Sequence, residues 1–506
     1  MYANKKISLQ QWRLIFLHNC LQLSFFFRIF APKIRVMRKS RFILYCLMWL
    51  QAVCAQVPHE EFRATWLTTL KNIDWPITVA ATPETAAVQQ AEMTDILDRL
   101  QEGNINAICF QARPSTDALY HSSQEPWSPV LTGIRGMDPG FDPLAFAIEQ
   151  AHNRGMELHA WVNPFRYERT AGERIDDIEA YIASEDSDPI RIEHPEWLLT
   201  YNTAQYKGSI LDPGHPEARD YVLHVIMEIV NNYNIDGLVM DDYFYPYGGT
   251  TDEDIISRTK YKPDSISIGD WRRSCVNEVI HAIYDFIQTV KPWVKFGMAP
   301  FGIYSMTDSA ASRYGLTLPE GISGTDAWAD LYCDPLAWVE GGYVDYLAPQ
   351  LYWSTKATKQ SYEKLCKWWC ESVATIDARR TDAHCTHVYI SHAAYRFDAE
   401  ELGRQIEYNR KYAPHNAPGS IFYNTNQYLN YTGAGKQENT CQKLRDSHFN
   451  NNVLPPLMVW KRPSQLSTPA TITTTDTLNA CCDTISPTWQ QSRFRRMTIR
   501  QKADPK

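Results

Sequence analysis

The sequence lacks the patterns that would assign a chemistry at once. Of its 12 cysteines, three precede Gln56, and the remaining nine are an odd number without metal-ligand spacing, which argues against a disulfide framework and a zinc site. No glycine-rich phosphate loop follows the first predicted strand, and no Ser-His-Asp or Cys-His arrangement occupies a plausible position. A formal net charge of -8 argues against nucleic acid and anionic membrane surfaces as partners. We therefore expect no metal and no cofactor.

The N-terminal region has the pattern of a secretory signal peptide. A basic start (Met37–Arg41) precedes a short apolar run (Phe42–Val53), and small residues follow. The run is too short to span a membrane comfortably. We predict export to the periplasm or cell envelope, cleavage after Ala55 and a true start at Met37, with no stable membrane span. A genuine N-terminal anchor in residues 1–36 is the alternative.

From residue 62 onward, short β-rich runs alternate with longer amphipathic stretches. The predicted strands cover residues 62–67, 107–111, 157–162, 237–240, 295–299, 344–348, 388–391 and 420–423. The predicted helices cover residues 84–102, 143–154, 216–232, 271–290, 334–340, 361–375, 400–411 and 441–450. Eight short strands that are apolar enough to be buried on both faces predict a parallel (β/α)8 TIM barrel. The alternative is a doubly wound open sheet, which the count of eight disfavours.

Three regions follow from this pattern. Residues 1–55 form the N-terminal extension and signal peptide, 56–460 the barrel, and 461–506 a Ser/Thr-rich and then basic tail of disordered or abnormal character. Two long loops, 113–142 and 165–213, are expected to be functional because loops of such length are uncommon in compact domains.

Carboxylates at the end of the fourth predicted strand are the main candidates for catalysis. Active sites of TIM barrels lie at the C-terminal ends of the strands, where Asp241 and Asp242 stand. Adjacent side chains of a strand point to opposite faces, so one aspartate is expected to face the barrel axis. If the two are close, repulsion raises the pKa of one of them, which suits an acid catalyst. A structural role for one of the two aspartates, paired to Arg63 or Arg113, is the alternative.

Hydrolysis of a glycosidic bond needs a proton donor and a second carboxylate that acts as nucleophile or base. Glu125, beside Trp127 in the first long loop, is the best candidate for the second carboxylate, and Asp117 and Asp74 follow. Each of the three can instead be a loop-capping or salt-bridged acid. A substrate-assisted reaction, in which the sugar's own acetamide is the nucleophile, needs only one acid and stays open.

Amides, flat aromatics and an arginine at strand ends suit the binding of sugar hydroxyls and sugar faces. Aromatic residues make up 12% of the chain, with 16 Trp and 28 Tyr. The predicted substrate-binding residues are Asp74, Gln111, Arg113, Asp117, Trp127, His159, Trp161, Asn163, Tyr243, Tyr245, Gln350, Tyr352 and Trp353. Trp368 and Trp369 lie on a predicted helix and are expected to pack against the barrel instead.

Several ordered motifs resemble one known family. They include Asn72-Ile73-Asp74-Trp75-Pro76, Gln111-Ala112-Arg113-Pro114, Glu125-Pro126-Trp127-Ser128, His159-Ala160-Trp161-Val162-Asn163-Pro164, Asp241-Asp242-Tyr243-Phe244-Tyr245-Pro246 and Pro349-Gln350-Leu351-Tyr352-Trp353. Over about residues 60–460 the chain resembles the glycosyl-hydrolase-like-10 family of bacterial envelope proteins. The resemblance implies a TIM barrel and hydrolysis of glycan, and in its better-understood members of peptidoglycan strands stripped of peptides. It supports Asp242 and its neighbours as site residues and assigns no catalytic pair.

The residues and the resemblance together predict an exported glycoside hydrolase whose partner is a cell-wall polysaccharide or oligosaccharide. Two alternatives remain: a hydrolase of another N-acetylated or acidic exopolysaccharide, and a non-catalytic barrel that binds carbohydrate in an aromatic cleft.

Overall fold

The chain folds into a barrel of parallel strands, which confirms the predicted fold class. The computed structural model describes residues 60–80, 82–167, 189–202, 207–241, 244–433 and 437–461. The strands are β1 Phe62–Leu67, β2 Ala107–Arg113, β3 Glu157–Val162, β4 Leu198–Asn202, β5 Lys207–Leu211, β6 Gly237–Asp241, β7 Lys295–Ala299, β8 Tyr346–Leu347, β9 His387–Val388, β10 Ile390–Ala393 and β11 Gly419–Tyr423. The helices are α1 Pro83–Glu102, α2 Pro129–Thr132, α3 Pro143–Asn153, α4 Pro189–Glu193, α5 Pro216–Asn232, α6 Ile255–Tyr261, α7 Ile268–Val290, α8 Asp308–Ser312, α9 Ala327–Asp330, α10 Pro335–Gly341, α11 Tyr362–Asp377, α12 Ala399–Tyr412, α13 Thr425–Leu429 and α14 Thr440–Ser447.

The barrel closes on its first strand. The strands β1, β2, β3, β6, β7, β8 and β9 pair in that order, each parallel to the next. β9 and β10 are the two parts of one strand, which is interrupted at Tyr389. β10 pairs with β11, and β11 pairs with β1, where Gly419 lies opposite Phe62. With β9 and β10 counted as one strand, the ring has the eight strands that the sequence predicts.

Capping residues determine where the helices begin. The Asp142 side chain accepts a hydrogen bond of 2.9 Å from the N–H of Ala145, and Pro143 occupies the first position of α3. Proline is favourable there because the first N–H groups of a helix have no partner within the helix. Ser267 caps α7 in the same way, so this helix begins at Ile268, ahead of its predicted start.

Alternate residues of each strand fill the barrel interior. Ala64 and Trp66 of β1 share one buried cluster with Trp161 of β3 and Val239 of β6. Met458 joins the same cluster from the last described segment of the chain. The interior is therefore a packed core, as expected for a barrel of eight strands, and a pocket adjoins it at the ends of the strands.

A glycine in β7 makes room for a tyrosine ring inside the barrel. A Cβ at Gly297 would lie 2.0 Å from Cζ of Tyr346. We expect Gly297→Ala to lower the free energy of unfolding by about 1–3 kcal/mol, since overpacking forces rotamer and backbone shifts. Urea denaturation measures this. The control is Gly269→Ala in the first turn of α7, where the new Cβ meets only the end of the Arg273 side chain at 3.3 Å. Equal stability of the two variants would contradict the interpretation.

An antiparallel hairpin lies within the second long loop, where the sequence predicted no secondary structure. β4 and β5 pair from Leu198 opposite Leu211 to Asn202 opposite Lys207. Arg166, just after β3, forms a further bridge with Ile210. The hairpin thus brings the loop back beside the end of β3.

Several predictions fall on residues that the structure does not describe. These are the signal peptide, the tail from residue 462 onward, Asp242 and Tyr243. The predicted domain boundaries after residues 55 and 460 therefore stay predictions. Among the described residues, no helix has the length and hydrophobicity needed to cross a membrane.

Candidate active site at the mouth of the barrel

A pocket of about 240 Å³ lies where the strands end. Its walls come from β1, β2, β3, β6, β7 and β11 and from the segment after β8. We call it the mouth pocket, and it is lined by Trp66, Thr68, Leu70, Gln111, Trp161, Arg166, Asp241, Tyr247, Ala299, Gln350, Tyr352 and Tyr423. This is the end of the barrel at which the sequence placed the site.

Aromatic rings form much of the wall of the mouth pocket. Trp66 and Trp161 contact edge to face, with ring centroids 5.0 Å apart and an interplanar angle of 69°. Tyr352 and Tyr423 lie 6.0 Å apart at 23°. The indole N–H of Trp66 donates to Oγ of Ser391 (2.8 Å), which also lies 3.2 Å from the Tyr352 hydroxyl. The rings are thereby held in place as flat surfaces of the kind that pack against sugar faces.

A chain of oriented amides leads to Asp241. Oε1 of Gln111 accepts hydrogen bonds from the backbone N–H groups of Thr69 and Leu70, both at 2.9 Å. A backbone N–H can only donate, so this contact fixes which end of the Gln111 amide is the oxygen. Nε2 of Gln111 then donates to Oδ1 of Asn163 (2.7 Å), and Nδ2 of Asn163 donates to Oδ2 of Asp241. Asp241 therefore accepts a hydrogen bond at Oδ2.

The strand pattern explains why Asp241 lines the pocket. Asp241 is the last residue of β6 and lies opposite Ala299, the last residue of β7. It shares the face of Val239, which belongs to the interior cluster, because side chains two apart in a strand point the same way. Of the predicted catalytic residues that the structure describes, Asp241 is the one that lines the mouth pocket.

Comparisons with known proteins show the family of the chain. The model of the family "Glycosyl hydrolase-like 10" matches residues 61–402. The chain belongs to this glycosyl hydrolase-like family. Glycosyl hydrolase YngK of Bacillus subtilis (strain 168) is 36% identical over 413 residues, covering 79% of this chain and 74% of that protein. Glycosyl hydrolase DigH of Escherichia coli (strain K12) is 34% identical over 330 residues, covering 64% and 73%.

Solved structures resemble the chain at much lower identity. The glycoside hydrolase domain of PgaB (BpsB) from Bordetella bronchiseptica has a TM-score of 0.44 and 12% identity, covering 77% of this chain and 98% of that chain. The α-L-fucosidase isoenzyme 2 from Paenibacillus thiaminolyticus has a TM-score of 0.44 and 14% identity. This likeness covers 77% of the present chain and about half (49%) of the fucosidase.

In this glycosyl hydrolase-like barrel, Glu125 is not among the residues that line the mouth pocket with Asp241. Arg113 donates to both of its carboxylate oxygens, from Nε at 2.8 Å and from Nη2 at 2.6 Å, and the hydroxyl of Tyr221 donates at 2.9 Å. Both charged side chains are fully buried. Nη1 of Arg113 also donates to the backbone oxygens of Asn163 and Pro164. The pair therefore fixes the segment after β3, and the geometry favours a positioning role for Glu125 and Arg113 over contact with substrate.

Asp74 lies behind the pocket wall. Its carboxylate accepts from the N–H of Thr68 (2.8 Å), the N–H of Asn426 (2.8 Å) and Nδ2 of Asn424 (2.7 Å). It thus ties the loop after β1 to the segment after β11. Burial raises the pKa of Asp74 to about 7, although these hydrogen bonds act in the opposite direction.

The raised pKa of Asp74 gives a pH-dependent stability. The folded state binds the proton more tightly than the unfolded state, so the contribution of this group is full below pH about 4 and is lost as the pH rises through about 7. We expect the stability of the wild type relative to Asp74→Asn to decrease over that range, as measured by urea denaturation at several pH values. A difference that is constant between pH about 4 and 8 would contradict this.

The other predicted site residues divide into two groups. Gln111, Trp161, Gln350 and Tyr352 line the mouth pocket, and Asn163 supports Asp241. The remaining described ones are not among its lining residues: Asp117, Trp127, His159, Tyr245 and Trp353.

Burial and packing explain why these five lie elsewhere. His159 is fully buried inside the barrel, with Nδ1 2.7 Å from the Tyr346 hydroxyl and Nε2 3.3 Å from Glu157. Tyr245 packs edge to face against Tyr332 and is also buried.

Asp117 is buried in the first long loop, and the half-buried Trp127 and Trp353 pack against the main hydrophobic core. None of these five residues lines the mouth pocket, and their predicted contact with substrate stays a prediction.

Sequence reasoning left out several residues that line the pocket, among them Trp66, Arg166, Tyr247 and Tyr423. Two of these carried a usable signal. Trp66 shares the inward face of β1 with Phe62 and Ala64, and Tyr423 shares that of β11 with Ile421. By contrast, Arg166 and Tyr247 follow strands by several residues, where alternation no longer predicts direction.

Proposed function

We propose that this chain is an exported glycoside hydrolase that cleaves bacterial cell-wall glycan, with peptide-free peptidoglycan strands as its substrate. The observation that carries the proposal is the position of Asp241: an inward-facing carboxylate, held by Asn163, among aromatic walls at the mouth of the barrel. Membership of a glycosyl hydrolase-like family and relatives named as glycosyl hydrolases support the reaction class. The predicted signal peptide and the motif resemblance support export and the cell-wall substrate.

We propose different tasks for the two aspartates. Because Asn163 donates to Asp241, Asp241 suits the anionic role, as nucleophile, as base for water or as partner of the developing positive charge at the sugar. Asp242, the next residue, is the proposed proton donor to the leaving oxygen. The Trp66, Trp161 and Tyr352 rings would pack on the sugar faces and orient the scissile bond over Asp241.

The proposal is tested with three purified polymers: peptide-free glycan strands, intact peptidoglycan and poly-N-acetylglucosamine. New reducing ends are measured, and the soluble products are identified by mass spectrometry. We expect turnover of the peptide-free strands in preference to the other two polymers. Preferential cleavage of poly-N-acetylglucosamine would assign the enzyme to another exopolysaccharide. Saturable binding of glycan with no turnover would show a carbohydrate-binding barrel.

A further inference from the structure

A second concavity adjoins the mouth pocket. It has a volume of about 480 Å³, and its wall includes Tyr423, which also lines the mouth pocket. We call it the outer hollow, defined by Ile73, Tyr395, Tyr423, Asn424, Asn426 and Gln427. Because one ring belongs to both walls, the two concavities meet at Tyr423.

Tyr395 gives the outer hollow an exposed aromatic surface. Its side chain is 43% exposed, although its ring contacts Tyr423 edge to face with centroids 5.9 Å apart and Tyr352 at 6.3 Å. Ile73, across the same hollow, is 40% exposed. Large apolar side chains exposed beside a cleft are typical of binding surfaces. The three tyrosines thus form a continuous aromatic path from the mouth pocket outward.

The polar side chains of the outer hollow are neutral. None of the residues that define it is charged, and three of them are the amides Asn424, Asn426 and Gln427. Side-chain amides both donate and accept hydrogen bonds, so they suit the hydroxyl and acetamide groups of a neutral sugar.

Hydrogen bonds to Asp74 hold two of the amide residues of the outer hollow in place. Asp74 accepts hydrogen bonds from Nδ2 of Asn424 and from the N–H of Asn426, and the same carboxylate holds the N–H of Thr68 at the mouth pocket. One buried carboxylate therefore sets the spacing between the two concavities. A fixed spacing is what a polymer with a regular repeat requires of adjacent sites.

We infer that the outer hollow is a second sugar-binding subsite, which holds a neutral hexose or N-acetylhexosamine unit of the chain that is cut at the mouth pocket. This inference rests on the proposed function and adds a dependence on chain length. Short oligosaccharides occupy the mouth pocket alone, whereas longer ones also gain the contact with Tyr395.

The test compares kcat/KM across peptide-free glycan oligosaccharides from disaccharide to octasaccharide. We expect Tyr395→Ala to lower kcat/KM about tenfold on the longest substrates and to leave it unchanged on the shortest one that is cleaved, while Tyr395→Phe keeps the wild-type profile. Gln427→Ala is expected to reduce the same long-chain advantage through lost hydrogen bonding. Tyr408→Ala, a partly exposed tyrosine on α12 that lines neither concavity, is the control.

The experiment distinguishes failure of the proposed function from failure of the proposed subsite. A wild type that cleaves no glycan defeats the proposed function itself. A wild type that cleaves glycan, with the same ratio of long-chain to short-chain kcat/KM in Tyr395→Ala and Gln427→Ala, overturns the subsite and leaves the hydrolase intact.

Discussion

Asp241→Asn is expected to lower kcat on peptide-free glycan strands by about 10²–10⁴-fold, the range for removal of a group that acts in proton transfer or as a charged catalyst. The new amide keeps an oxygen that can accept from Nδ2 of Asn163, so the hydrogen bond at the end of β6 is preserved. The variant should therefore fold as the wild type does. Initial rates of reducing-end release, together with a thermal unfolding curve, measure both properties.

The matched control for this variant is Asp95→Asn. Asp95 lies on α1, and its side chain is 68% exposed. We expect wild-type activity from this control and a loss similar to that of Asp241→Asn from Asp242→Asn, the proposed proton donor. A loss of less than about tenfold for Asp241→Asn in a folded protein would show that this carboxylate takes no part in the chemistry.

Glu125→Gln is expected to lower the free energy of unfolding by about 3–5 kcal/mol, because it leaves the guanidinium of Arg113 buried without its anion. Burial lowers the pKa of Arg113, and the charge of Glu125 more than offsets this, so that the pKa is raised and the arginine stays charged. Urea denaturation measures the loss of stability. Molecules of the variant that are folded should keep kcat within about tenfold of the wild type.

Glu363→Gln is the control for this effect. Glu363 pairs with Lys411 at 3.1 Å, and the two side chains are 42% and 58% exposed, so removal of that pair should cost no more than about 1 kcal/mol. If instead Glu125→Gln has wild-type stability and has lost catalysis, Glu125 is a catalytic carboxylate, as the sequence first indicated, and its contact with Arg113 is secondary.

The barrel and its open end could be predicted because their signals are local. Runs such as Phe62–Leu67 and Lys295–Ala299 show their strand character within five or six residues. The rule that active sites lie at the ends of parallel strands then indicates Asp241 and Asp242, and alternation within the strand predicts that one of the two faces the barrel axis. Local pattern thus indicated this strand end, and the structure shows that Asp241 lines the mouth pocket.

The sequence could not show the surroundings of residues that contact a distant partner. In the sequence, Glu125 is an acid in a polar loop, and only the structure shows that Arg113 and Tyr221 donate hydrogen bonds to it. His159 stands on the inward face of β3, and no local pattern shows that Tyr346, far along the chain, lies against its ring. Spacing in sequence cannot distinguish a charged or polar side chain that meets a substrate from one that meets another side chain.

The most direct test of the central claim is a crystal structure of the Asp241→Asn variant with a peptide-free glycan oligosaccharide. We expect a sugar ring against Trp66, Trp161 and Tyr352, with its glycosidic oxygen or anomeric carbon within reach of residue 241 and the glycan running past Tyr423. An oligosaccharide bound at any other surface, with the mouth pocket free of sugar, would contradict it.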